Sequence, residues 1–145
     1  MTAVEIARVT EEADVQAAYA VRHTVFVEEQ GVPLVLERDG LDDRTEHFLG
    51  RLDGRPVAAA RLMRGPAPGV GVAQRVAVLP ELRGTGVGAA LMSVLEARAR
   101  ERGMTEVELH AQVPVRGFYE RLGYAAYGDE YDEAGIPHVS MRKEL

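Results

Sequence analysis

Val76–Met92, VAVLPELRGTGVGAALM, is the stretch from which the rest of the chain can be read. An apolar strand ends near Leu79, a turn containing Pro80 follows, and a glycine-rich loop leads into a helix. Gly84, Gly86 and Gly88 stand at alternate positions, so the backbone there can take positive φ and be approached closely by a ligand. The first turn of the helix points free N–H groups, and the positive end of its dipole, into the same loop. An anion is the expected guest, and phosphate is the commonest one.

Around this loop lie 145 residues, 46% hydrophobic and 28% charged. That suffices for one globular domain, residues 1–145, with a substantial core. The formal net charge of −6 argues against nucleic acid as a partner, because such binding depends on neutralising phosphates. The same acidity suits a cationic substrate such as an amine. The absence of Cys excludes disulfides, thiolate metal sites and a Cys nucleophile. No apolar run of signal-peptide type opens the chain and none reaches spanning length, so the expectation is a cytoplasmic protein that does not enter a membrane.

Upstream, Val4–Val9 alternates as a strand. Thr10 stands where it can cap a helix with Glu11 and Glu12 in its first turn, running to about Phe26 or Val27. Val15, Ala18, Tyr19, Val25 and Phe26 form its inward face, and Arg22 falls on the same side. That arginine either snorkels outward or pairs with a carboxylate. Residues 30–45 read as an irregular loop carrying Glu37, Asp39, Asp42 and Asp43. A loop of this length is a binding loop or a solvated connection. His47–Asp53 and Arg55–Met63 flank Asp53-Gly54, a hairpin signal.

Gly71–Leu79 is apolar on both faces at its end, as in a covered central strand. The helix after the glycine loop should run from Gly86 to Arg102 and stop at Gly103, with Arg98, Arg100 and Arg102 complementing its C-terminal dipole. Glu106–Gln112 then forms a parallel partner for the central strand through a right-handed crossover. A short helix near Pro114 ends at Gly123, and two strands close the chain. The predicted order, β-α-loop-β-β-β-α-β-α-β-β, is an α/β or α+β domain with a mixed sheet.

The glycine loop admits three readings. Its glycines can serve turn geometry alone. Gly84-x-Gly86-x-x-Ala89 also matches a loose dinucleotide fingerprint, with Glu108 further on; however, Leu79–Arg83 separate it from the strand, and too little chain follows for a doubly wound sheet. The third reading includes Arg83. Arg83-Gly84-Thr85-Gly86-Val87-Gly88 fits the pattern Arg/Gln-x-x-Gly-x-Gly/Ala after a buried strand, and here the sequence resembles the GNAT family of acetyl-CoA-dependent N-acyltransferases. The resemblance implies the GNAT fold, a single mixed twisted sheet of about six or seven strands flanked by helices. It also implies acetyl-CoA as cosubstrate; no metal is expected, since no histidine cluster has metal spacing. The pyrophosphate would lie on the amides of Arg83, Gly84, Thr85, Gly86, Val87 and Gly88, and the pantetheine arm along Val76, Ala77 and Val78.

A second signature follows. Phe118-Tyr119-Glu120-Arg121-Leu122-Gly123-Tyr124 is similar to the family's FYExxGF/Y element. The likeness places Phe118 at the cofactor and makes Tyr119 the acid that protonates the departing thiolate. Gln112 stands where the family often has Asn, and is carried over as a cofactor contact. More narrowly, Arg22-x-x-Val25-Phe26-x-x-Glu29-Gln30, Glu37-x-Asp39, His47 and Gly135-Ile136-Pro137-His138 resemble the ElaA-like subgroup. The first of these elements is also similar to acyl-homoserine-lactone synthases, which are longer and carry an aromatic-rich N-terminal region missing here.

The implied reaction is attack of a primary amine, on a small molecule or peptide, on the thioester. A lysine-like amine with a pKa of about 10.4 must first lose a proton. Glu37, Asp39, His47 and His110 are the candidate bases or substrate contacts, and a water chain is the alternative. His138 either lines the acceptor pocket or is a plain strand residue. A non-catalytic acyl-CoA-binding module would keep the loop without needing Tyr119. Homodimers are frequent in the resembled family.

Overall fold

The computed structural model describes residues 3–145. Seven strands, β1 (Val4–Val9), β2 (Glu46–Leu52), β3 (Arg55–Arg64), β4 (Val70–Val78), β5 (Glu106–Gln112), β6 (Ala125–Glu133) and β7 (Ile136–Glu144), form one sheet in the order β1-β2-β3-β4-β5-β7-β6. Only β4 and β5 run parallel; every other neighbouring pair is antiparallel. The helices are α1 (Glu12–Arg22), α2 (Leu34–Glu37), α3 (Val87–Glu101) and α4 (Arg116–Arg121). No helix among the described residues is long and apolar enough to cross a membrane.

Strand periodicity sorts the core into two layers. Phe48, Ala58, Ala60 and Leu62 point to the α3 face, where they meet Leu91 and Leu95. Leu49, Ala59 and Ala77 point the other way, onto Ala18, Val21 and Val25. Successive strand residues alternate faces, and the alanine run of β3 is small enough to let helices pack closely on both. The hairpin expected at Asp53-Gly54 forms with φ of +51° and +80° at the two residues, the signs that a type I′ turn requires.

Four local expectations are corrected. Glu11, not Thr10, precedes α1, and its side chain makes no cap hydrogen bond; Glu12 and Asp14 in the first turn face the helix dipole instead. The α-helix ends at Arg22 and widens into a π-helical segment, His23–Glu29. Residues 30–45 are not wholly irregular, for they contain α2 and a 3₁₀ turn at Asp42–Arg44. Arg98 and Arg102 do more than complement a dipole: both donate to Glu46, at 2.7 and 2.9 Å, and tie α3 to the start of β2.

Candidate active site

The site begins where the parallel pair comes apart. β4 and β5 pair only over Val70–Ala73 and Glu106–Leu109. Beyond that point β4 stays with β3, and β5 with β7, so a wedge opens between Gln74–Val78 and His110–Gln112. A β-bulge sits at the fork. The β3–β4 register shifts between Ala59 and Arg61, and Arg75 has φ of +56°. The extra residue reverses the side-chain alternation: Ala73 packs on the α3 side, and after the bulge Val76 and Val78 do so too. The edge of β4 facing β5 is thereby left without a neighbouring strand, ready to pair with an extended ligand.

The wedge opens into a cavity of about 970 Å3, at the upper end of ligand pockets and suited to a long molecule. Its wall includes Arg83, Gly84 and Gly86 together with Glu37, Asp39, Arg75, His110 and His138. Gly84 and Gly86 have φ of +78° and +89°, and Gly86 is the residue from which α3 starts. The amides of the first turn have no partner within the helix. Gly88 serves another purpose, since a Cβ there would lie 3.0 Å from the Phe118 ring. Val87 turns its side chain into the core, so only its backbone can serve a ligand. The Thr85 hydroxyl donates to the Leu82 carbonyl at 2.5 Å.

Arg83 makes a two-pronged pair with Glu29, both contacts at 2.7 Å, and its Nε donates to the Val78 carbonyl. It therefore braces the loop against the π-helical segment. Gln112 exchanges hydrogen bonds with Gln30 at 2.8 and 3.3 Å across the same opening. Tyr119 lines the cavity and is nearly buried, edge-on to Phe118 at 4.9 Å and to Tyr124 at 5.8 Å. Burial alone pushes its hydroxyl well above the ordinary tyrosine value, which keeps it protonated at neutral pH.

The acids of residues 30–45 meet a buried set of arginines. Arg22 donates to Glu37 at 2.5 Å and to Asp42 at 2.7 Å, so the pairing alternative holds and snorkelling does not. Arg61, fully buried on β3, donates to Asp39 at 2.6 Å, to Asp42 at 2.9 Å and to Gln74 at 3.0 Å. Arg75 completes the set with Glu37 and Asp39, both at 3.2 Å. Burial on its own would raise the Asp39 carboxyl, but the Arg61 hydrogen bonds, the Leu41 amide and the charge of Arg75 outweigh it and hold it at about 2. Burial likewise opposes the ionised Asp42, and Arg22 and Arg61 overcome it. Three carboxylates thus face three guanidinium groups, and the negative field expected from this loop is cancelled locally.

His47 stands apart from the other sequence candidates. It lies at the foot of α1 beside Tyr19, their rings 5.5 Å apart, and is not on the wall of this cavity. Its Nε2 donates to the Asp42 carbonyl at 3.0 Å, leaving Nδ1 a buried acceptor without a partner. Burial pushes its pKa down. It therefore cannot reach a ligand in the wedge. Glu37, Asp39 and His110 do line the cavity, as do Val76, Ala77, Val78, Gln112 and Phe118.

Sequence reasoning did not find Arg61, Arg75, Glu29 or Gln30 as parts of the site. Arg61 had a usable signal: a lone charge inside the apolar run VAAARLM of β3 demands a buried partner.

The family model described as "Acetyltransferase (GNAT) domain" matches residues 9–145. The chain belongs to the GNAT acetyltransferase family, whose acyltransferases use an acyl-CoA and an amine acceptor. It is similar to the protein ElaA of Escherichia coli, with 35% identity over 136 residues covering 89% of this chain and 86% of that one. The crystal structure of ElaA superposes with a TM-score of 0.82 over 99% of this chain and 100% of ElaA, at 31% identity. An acyl-CoA N-acyltransferase from Pseudomonas aeruginosa gives 0.83 at 32% identity, over 99% of each chain. A structure assigned as an N-acetyltransferase from Lactobacillus plantarum gives 0.90 at 36% identity, again over 99% of each. The ElaA-like resemblance and the mixed seven-stranded GNAT architecture are thereby established.

Proposed function

We propose that the chain acts as one acyltransferase domain that moves the acetyl group of acetyl-CoA onto a primary amine of a small molecule or peptide. The observation that carries this reading is the continuity of one cavity from the positive-φ glycines at the start of α3 to the buried hydroxyl of Tyr119. The amides of residues 83–88 and the helix dipole suit a pyrophosphate. The open edge of β4 at Val76–Val78 suits the amides of the pantetheine arm. Along that edge the thioester would reach the fork at Arg75, where strand N–H groups can hold the oxyanion.

The absence of cysteine favours direct attack by the amine. As the tetrahedral intermediate collapses, the carbon–sulfur bond breaks and Tyr119 gives its proton to the thiolate. With the acidic segment neutralised by Arg22, Arg61 and Arg75, acceptor choice falls to the other groups on the wall, among them Glu133, His110 and His138.

Acetyl-CoA at 100 times its Kd should stabilise the fold by about 2.7 kcal/mol and raise Tm by several degrees, whereas NAD(H) should not. A screen of amines, polyamines, amino acids and peptides should then show coenzyme A release above background hydrolysis. Binding of NAD(H) in place of acetyl-CoA, or release that no amine accelerates, would refute the assignment.

A further inference from the structure

The proposed reaction needs a group that takes a proton from the acceptor amine. Resting on that reading, we propose that His138 is the general base, acting through Nε2. Its Nδ1 lies 2.6 Å from the Ile136 carbonyl. A carbonyl oxygen only accepts, so Nδ1 must carry the hydrogen and the neutral ring must keep its free electron pair on Nε2. The turn Ala134-Gly135, with φ of +54° and +77°, leads into Ile136 and sets this tether.

The ring lies on the wall of the cavity and is 7% exposed. His138 is paired with Gln112, three residues past Leu109, where β4 and β5 last touch. It therefore shares a face of the sheet with His110 and Gln112, toward the open end of the wedge. From β6 it is faced by Glu133, whose carboxylate is 3.5 Å from Nε2, and by the Tyr131 ring, stacked on it at 6.0 Å. Glu133 is well exposed and placed to pair with the ring once it holds a second proton, beside a route for that proton to solvent.

The remaining groups on the wall are unsuited to the role. Glu37 is held by Arg22 and Arg75, and Asp39 by Arg61 and Arg75. Tyr119 is spoken for as the acid. His110, on β5, is engaged through Nδ1 with the Tyr131 hydroxyl, an interaction that leaves its tautomer open. Of these wall residues, His138 is the one whose backbone contact fixes the tautomer and leaves a basic nitrogen, Nε2.

The protons balance. An ammonium acceptor loses one to Nε2, and the neutral amine forms the carbon–nitrogen bond. The nitrogen of the tetrahedral intermediate loses another, which refills Tyr119 after its own proton has gone to the thiolate. The imidazolium then releases its proton to solvent. The products are the amide, coenzyme A as thiol and one proton.

His138→Asn keeps a donor close to where Nδ1–H stands but has no base. With a lysine-like acceptor near pH 7, kcat should fall by about 100-fold while the acetyl-CoA Kd stays unchanged. The deficit should shrink as pH approaches the amine pKa of about 10.4, where solvent supplies the free amine. Turnover within about threefold of wild type at pH 7, or a deficit equal at every pH, would overturn the assignment. A wild-type protein that binds acetyl-CoA yet acetylates no amine would instead refute the parent reading, and with it this one.

Discussion

Asp39→Asn separates a structural from a catalytic role for the acidic segment. The Asp39 carboxylate takes hydrogen bonds from Arg61 at 3.0 and 2.6 Å, from Arg75 at 3.2 Å and from the Leu41 amide at 3.0 Å. Together they hold its pKa at about 2 against an ordinary value of 3.8. At about 1.4 kcal/mol per unit, the difference contributes about 2 kcal/mol to stability at neutral pH. The folded carboxyl binds its proton more weakly than the unfolded one. The contribution is therefore complete well above 3.8 and is lost as pH falls through that value toward 2.

Asparagine stands in for the protonated acid. The variant should be less stable than wild type by about 2 kcal/mol at pH 7, a Tm lower by about 4–8 °C, and by only about 1 kcal/mol at pH 3. Urea and thermal melts followed by circular dichroism, at constant ionic strength from pH 7 to 3, measure the gap. Coincident melts at pH 7, or a gap that does not narrow on acidification, would refute the reasoning. Turnover supplies a second criterion: with Asp39 structural, the acid limb of kcat persists in the variant.

Tyr119→Phe should lower kcat by about 100-fold or more with the acetyl-CoA Kd unchanged, read by coenzyme A release and by titration; unaffected turnover would reduce Tyr119 to packing. A Cβ at Gly86 meets no atom within 4 Å, but Gly86→Val must adopt φ of +89°, so it should cost about 1–3 kcal/mol and weaken acetyl-CoA binding through the displaced amides. Unchanged affinity by calorimetry would count against the loop. Gly88→Val presses its Cβ to 3.0 Å from Phe118 and should destabilise by about 1–3 kcal/mol in urea melts; a neutral result would mean that the ring moves freely.

Much of the fold is legible because its signals are local. Asp53-Gly54 marks a turn whose backbone signs few other pairs tolerate. Glu106–Gln112 is a strand in both the reading and the structure, since its flanking breakers leave little choice. The helix ends at Arg22 and Gln30 escape such reading, because a π-helical widening leaves the apolar spacing nearly unchanged. The same holds for the bulge at Arg75. A non-glycine residue at φ of +56° has no sequence mark, and it falls where the β3–β4 register shifts, a feature of the paired strands and not of either alone.

The sequence by itself determined the glycine loop, the parallel strand pair and the family, because glycine placement, period-two alternation and motif spacing act over a few residues. Tertiary structure alone decided which charges are free. Glu37, Asp39 and Asp42 read as an open acidic loop until Arg22, Arg61 and Arg75 are brought against them from α1, β3 and β4. Likewise, only the turn at Ala134-Gly135 places the Ile136 carbonyl on Nδ1 of His138 and sets which nitrogen can take a proton. Ion pairing and tautomer depend on partners distant in the chain or on a particular backbone geometry, and neither leaves a periodic trace.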